Sequence, residues 1–200
     1  IHETAADNRY VTVSGADIMP DMMLGHLAVN SAAEADAIVN KIIAYEANPP
    51  TGDWRQQILA VADDPDSAGY FNTISDNLIS SSVPSSYATT KVYYGITHTD
   101  PATAKSAIVS NYGKFIVNYI GHGYSTGWAY ESLFTTTSVG QLSNGGQQPI
   151  VLVMACLEGY YINPTASMDS LAEVNTRAVG KGAIASWSAT GQGDAGGHDF

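Results

Sequence analysis

The stretches Phe115-Ile-Val-Asn-Tyr-Ile-Gly-His-Gly123 and Ile150-Val-Leu-Val-Met-Ala-Cys156 decide the fold. Phe115 to Ile120 and Ile150 to Met154 are short apolar runs of the kind that form strands buried on both faces. Each stretch ends in a side chain with chemistry: a glycine-flanked histidine in the first, the only cysteine of the chain in the second. His122 and Cys156 are 34 residues apart, enough for one crossover that would bring two parallel strand ends side by side.

Working outward, Ser31 and Glu34 form a capping-box pattern, each side chain able to satisfy the other's free backbone N–H. Ala35, Ile38, Val39, Ile42 and Ile43 follow at helical spacing, so a helix is expected over 31–46, stopped by Asn48-Pro49-Pro50-Thr51-Gly52. Ile58 to Ala62 reads as a strand, Tyr70 to Ser80 as a helix, Lys91 to Tyr94 as a strand, and Pro101 to Ser110 as a helix with proline in its first turn. Met168 to Val179 reads as a helix and Gly182 to Ser186 as a last strand. Short apolar runs alternating with helical segments predict an α/β fold, a mostly parallel sheet covered by helices on both faces. Residues 1–57 form an N-terminal part and 58–200 the part carrying the strand ends.

The 200 residues hold 8 Lys and Arg against 19 Asp and Glu, a net charge of −11. The eight cations are scattered, which excludes nucleic-acid binding by phosphate neutralisation. The longest apolar run, Ile150 to Cys156, is too short to span a bilayer. One cysteine excludes an internal disulfide and a thiolate-rich metal site.

Ligands of parallel sheets bind beyond the carboxyl ends of the strands. Three strands end in reactive or acidic residues: Asp63 and Asp64 after the first, His122 and Cys156 after the two quoted above. A thiol is the most nucleophilic neutral side chain near pH 7, and an imidazole can activate it or protonate a leaving amine. Glycines beside His122 allow close approach of a substrate backbone, and the Gly123 and Cys156 N–H groups would face a developing oxyanion. Asp63, on a third strand end, is the candidate to orient His122. The plainer readings are a cysteine buried as filler and a Gly-His-Gly turn. His2, His26, His98 and His198 have no ligand spacing and read as surface or packing residues.

Val117 to Gly123, followed by Trp128, resembles the histidine block of the gingipain family of cysteine peptidases, and Gln148 through Met154-Ala-Cys-Leu-Glu-Gly159 resembles its cysteine block. Pro20-Asp21-Met-Met-Leu-Gly25, Asn40 to Glu46 and Gly182 to Ser186 are similar to further pieces of the family, in the same order. The resemblance implies a caspase-like fold and a cysteine endopeptidase that works by a Cys–His dyad through a thioester acyl-enzyme. Cys156 would be the nucleophile, His122 its partner, Gly123 and Cys156 the oxyanion donors, and Asp63 the acidic partner. Ile120, Gly121 and Met154 would line the specificity pocket, with Asp66 the nearest counterpart of the acid at its base.

The chain departs from the family in carrying His26 in place of an arginine, in a shorter segment after Asp63, and in the position of Trp187 after the last strand. A sortase-like transpeptidase, or a non-catalytic surface domain that kept the fold, are the alternatives. The resemblance further implies a secreted or cell-surface protein acting on protein or peptide substrates, part of a larger multidomain chain, with a catalytic domain that continues beyond both ends. No cofactor is needed for the chemistry. The family allows a structural calcium, for which Asp63-Asp64-Pro65-Asp66 and Asp17 with Asp21 are the oxygen-rich loops, although they lack EF-hand spacing and read first as solvated turns.

Overall fold

The computed structural model describes residues 5–163 and 168–193. His2, His198 and the closing stretch Asp194 to Phe200 lie outside the described residues. The first long helix, α1 (Ala32–Ala47), is capped by Ser31, whose side chain accepts from the Glu34 N–H. Glu34 reaches back one residue further than the capping-box pattern predicts, to the Asn30 N–H at 2.6 Å.

The chain then alternates as expected: β1 (Gln57–Ala62), α2 (Phe71–Ser82), β2 (Ala88–Tyr93), α3 (Pro101–Ser110) and β3 (Ile116–Ile120). A small hairpin region follows, with β4 (Gly123–Tyr124), β5 (Gly127–Trp128) and β6 (Phe134–Thr135) forming a three-stranded antiparallel sheet, then α4 (Thr136–Gln141). The last elements are β7 (Ile150–Met154), α5 (Leu171–Arg177) and β8 (Ala185–Ser188). The main sheet runs β2-β1-β3-β7-β8, and every neighbouring pair is parallel.

β8 begins three residues later than its apolar run suggests. Gly182 sits at φ +76°, and the Asn144 side chain holds both its N–H and its C=O, so the segment is fixed as a turn before it can enter the ladder. Trp187 therefore lies within the strand rather than after it, and is exposed.

Alternation along the strands divides the interior. Leu59, Val61, Val117, Tyr119, Val151 and Val153 join Ile108, Tyr112, Trp128, Phe134 and Leu171 in the larger core, beneath α3, α4, α5 and the small sheet. Ala60, Ala62, Tyr93 and Ile120 face the other way and pack with Phe71 of α2 in a smaller one. Helices thus cover both faces, and burial of the apolar strand residues drives the assembly at about 25 cal/mol per Å². One buried polar residue marks the centre of the sheet: Asn118 of β3 donates to the Leu152 carbonyl of β7 at 3.0 Å. Among the described residues no helix is long and apolar enough to cross a membrane.

Candidate active site

The register of β3 on β7 pairs Ile120 with Met154, so His122 and Cys156 each stand two residues beyond the same rung of the ladder. The loops that carry them touch. A Cβ on Gly123 would lie 2.7 Å from the Ala155 Cβ and 2.9 Å from the Cys156 carbonyl oxygen, so only glycine allows the His122 chain to pass this close. The same virtual atom lies 3.4 Å from the Cys156 nitrogen, which places the two expected oxyanion donors at one junction. Gly121 is equally constrained, because a Cβ there would overlap Asp63 and the Tyr119 hydroxyl.

His122 is held from all sides. Its backbone N–H donates to Asp63 Oδ2 at 3.1 Å, and its carbonyl accepts from the Tyr119 hydroxyl at 2.6 Å and from the Ala129 N–H at 2.8 Å. Its ring lies edge-on to Phe71 and beside Tyr130, with centroids 5.4 Å away in each case. Nε2 meets Asp66 Oδ2 at 2.9 Å. Asp66 is itself fixed by the Ala68 N–H at 2.7 Å, and this bond with the His122 contact holds its carboxyl below the usual range.

Two expectations about the aspartates are therefore revised. Asp63, expected to orient the imidazole, grips the main chain of His122 instead, because it is buried directly under the β3 end while the loop after it turns outward. Asp66, expected at the base of a specificity pocket, is the carboxylate that reaches the ring, carried there by a tight turn that bridges Asp66 to Gly69. Burial pushes the Asp63 carboxyl up to about 6, against the opposing pull of the His122 and Asp64 N–H groups. Of the expected pocket residues, Ile120 is buried in the smaller core with Met154 packed against it, while Gly121 is partly exposed.

Cys156 is a free, partly exposed thiol. Its Sγ lies 3.4 Å from the Gly193 carbonyl oxygen and 3.5 Å from the Gly193 nitrogen. The next residue, Leu157, is left-handed at φ +60°, a conformation uncommon for a leucine and frequent at functional turns. It is supported by hydrogen bonds from Leu157 to Gly191 and from Gly159 to Ala189.

Asp63, Asp64 and Glu131 bring carboxylate oxygens within 4.8 Å of one another, the set among the described residues that could take a hard cation. Glu131 carries no spacing signal that would single it out in the sequence. Asp17 and Asp21 are engaged elsewhere: Asp21 accepts from the Val13 and Ser14 N–H groups and Asp17 from that of Met19. His26 pairs with Asp7 and packs on Tyr161 at 4.1 Å, a packing role.

The family model described as peptidase family C25 matches residues 2–199. Gingipain R2 of Porphyromonas gingivalis is 32% identical over 180 residues, spanning 86% of this chain and 23% of that protein. Gingipain R1 of Porphyromonas gingivalis is likewise 32% identical over 180 residues, but only 17% of its length is covered. The crystal structure of the Arg-specific cysteine proteinase gingipain R superposes with a TM-score of 0.74 at 28% identity, covering 94% of this chain and 44% of that one. The chain thus spans about a fifth of the length of these curated relatives. With two linked strand-end blocks on a shared sheet and a match from end to end, the chain belongs to peptidase family C25.

Proposed function

We propose that this chain carries the catalytic centre of a cysteine endopeptidase, with Cys156 as nucleophile and His122 as its proton-transfer partner. The observation that carries the reading is the juxtaposition of the His122 and Cys156 loops at the ends of adjacent, in-register parallel strands, at a contact that admits only glycine.

With Nε2 engaged by Asp66, Nδ1 is the ring nitrogen left to exchange a proton with the thiol. The Cys156 sulfur attacks the peptide carbonyl carbon, forming a C–S bond while the carbonyl electrons move onto oxygen, where the Gly123 and Cys156 N–H groups stabilise them. Collapse breaks the C–N bond as His122 delivers its proton to the leaving amine. Water then attacks the thioester, His122 takes its proton, and the thiol is regenerated. Asp66 serves as the orienting carboxylate, and Asp63 with Tyr119 sets the main-chain path of His122.

No step calls for a cofactor. Because Asp66 is occupied by His122, the arginine specificity of gingipain R is not carried over to this chain. Action on extracellular or surface-exposed protein substrates goes with this reading.

The test is hydrolysis of a mixed fluorogenic peptide library, with iodoacetamide alkylation of Cys156 at pH 6.5 as a second readout. Wild type should cleave and alkylate rapidly. Cys156→Ala should not cleave, and His122→Ala should lose cleavage and alkylate at least about tenfold more slowly. Equal alkylation in wild type and His122→Ala, with no cleavage by either, overturns the reading. New amide products with added amines would redirect it to a transpeptidase.

A further inference from the structure

Two residues beyond Cys156, Glu158 is completely buried, and neither carboxyl oxygen has a hydrogen-bond partner among the described residues. An unpartnered buried carboxylate is among the most costly groups a fold can hold. Its surroundings come from every part of the site. Its backbone carbonyl accepts from Ala172 in the first turn of α5. Its carboxyl faces the indole N–H of Trp128 in β5 and Ser188 of β8, donors close enough to favour the charged form yet not aligned as hydrogen bonds.

Trp128 pairs with Gly123, the residue after His122, and stacks on Tyr119 at 4.6 Å. Leu157 and Gly159, on either side, tie the cysteine loop to the chain after β8 through their backbone N–H groups. The Glu158 side chain therefore sits where the cysteine loop, the histidine hairpin and the last strand converge.

We propose that Glu158 is a positioning residue for Cys156: as an uncharged carboxylic acid it seats the nucleophile loop against the histidine hairpin, and its ionisation loosens that seat and sets an alkaline limit to cleavage. This rests on the peptidase reading above for its consequence, though not for the titration itself.

Around the carboxyl stand Trp128 from β5, Ser188 from β8 and, on the segment after α3, Tyr112, whose hydroxyl accepts from Asn175 of α5 at 2.6 Å. None of these is a cation. Burial pushes the Glu158 carboxyl up to about 7, against the weaker pull of Ser188 and Trp128 toward the charged form. A raised carboxyl binds its proton more tightly folded than unfolded. Its stabilising contribution is therefore complete below the ordinary 4.5 and is lost as pH rises through about 7.

The test compares wild type, Glu158→Gln and Glu158→Ala by kcat from pH 5 to 9, each profile normalised to its own maximum. In wild type kcat should fall above pH 7. In Glu158→Gln, which keeps the shape and cannot ionise, the fall should disappear, leaving normalised kcat about tenfold above wild type at pH 8, one unit beyond the titration. Glu158→Ala, which loses the seat itself, should be impaired throughout. Superimposable profiles for wild type and Glu158→Gln overturn the proposal.

A second readout needs no turnover. In Cys156→Ala protein, the Glu158 carboxyl ¹³C signal and the Leu157 and Gly159 amide signals should titrate together near pH 7, and this midpoint should vanish with Glu158→Gln. Titration between pH 4 and 5, or loop amides that do not move, overturns the proposal whether or not the wild type cleaves peptides. A chain that cleaves nothing yet shows the shared midpoint retains the coupled loop and loses the peptidase reading.

Discussion

The two halves of the site are built in opposite ways. The histidine half is over-determined: donors and acceptors meet both main-chain groups of His122, a carboxylate meets its ring, and two aromatic side chains flank it. The cysteine half is spare. Among the described residues its thiol hydrogen-bonds only to the backbone of Gly193, its next residue is left-handed, and its deepest anchor is a carboxyl with no aligned donor. A proton-transfer group needs a fixed direction, whereas a nucleophile must move by a fraction of a bond length to reach carbon. Rigidity on one side and latitude on the other suits the division of labour proposed for His122 and Cys156.

Replacing the thiol should have the largest effect. Cys156→Ala is expected to lower kcat by about three orders of magnitude or more, with an unchanged circular dichroism spectrum, because the thiol is partly exposed and belongs to neither core. Gly123→Ala strikes the seam between the halves. Its Cβ would press on Ala155 and the Cys156 carbonyl, so kcat should fall by about a hundredfold, with a stability loss of about 1–3 kcal/mol in urea unfolding.

The two aspartates separate ring from main chain. Asp66→Asn should lower kcat by about tenfold while leaving KM nearly unchanged, since it disturbs the imidazole alone. Asp63→Asn can still accept from the His122 N–H, so it should keep most activity and change the pH dependence of stability instead. The Asp63 carboxyl, raised to about 6, contributes stability that is complete below 3.8 and lost as pH rises through about 6. The difference in Tm between wild type and Asp63→Asn should follow that window. Equal kinetic damage from both variants would erase the distinction drawn between them. Tyr119→Phe is the mildest test, removing one of two donors to the His122 carbonyl, and should cost about 1 kcal/mol by denaturant titration.

Much of the fold was legible because its strands are short apolar runs with chemistry at their ends and helices α1, α3 and α5 carry side-chain caps. Ile150 to Met154 and Pro101 to Ser110 have the predicted bounds, and the pairing of the His122 and Cys156 strands follows from their order and spacing. The two-residue strands β4 to β6 and the helix α4 are too short to show any period, and they form because they roof the larger core. Which of three neighbouring aspartates would meet the His122 ring depends on how the loop after β1 folds outward, and composition holds no trace of that. No pattern in the sequence marks Glu158 as buried, and only the packing around Trp128 reveals it.

The register of β7 on β3 carries a further consequence. If β7 slid past β3 by two residues, every apolar side chain would keep its face, and the hydrophobic pattern would be equally content. The nucleophile, however, would move about 6.6 Å along its strand, well out of reach of the histidine. Solvent exclusion alone therefore cannot tell an active molecule from an inert isomer of nearly equal burial. That discrimination falls to contacts that a shift would change, such as the close approach of Gly123 to Ala155, where a larger side chain would not fit.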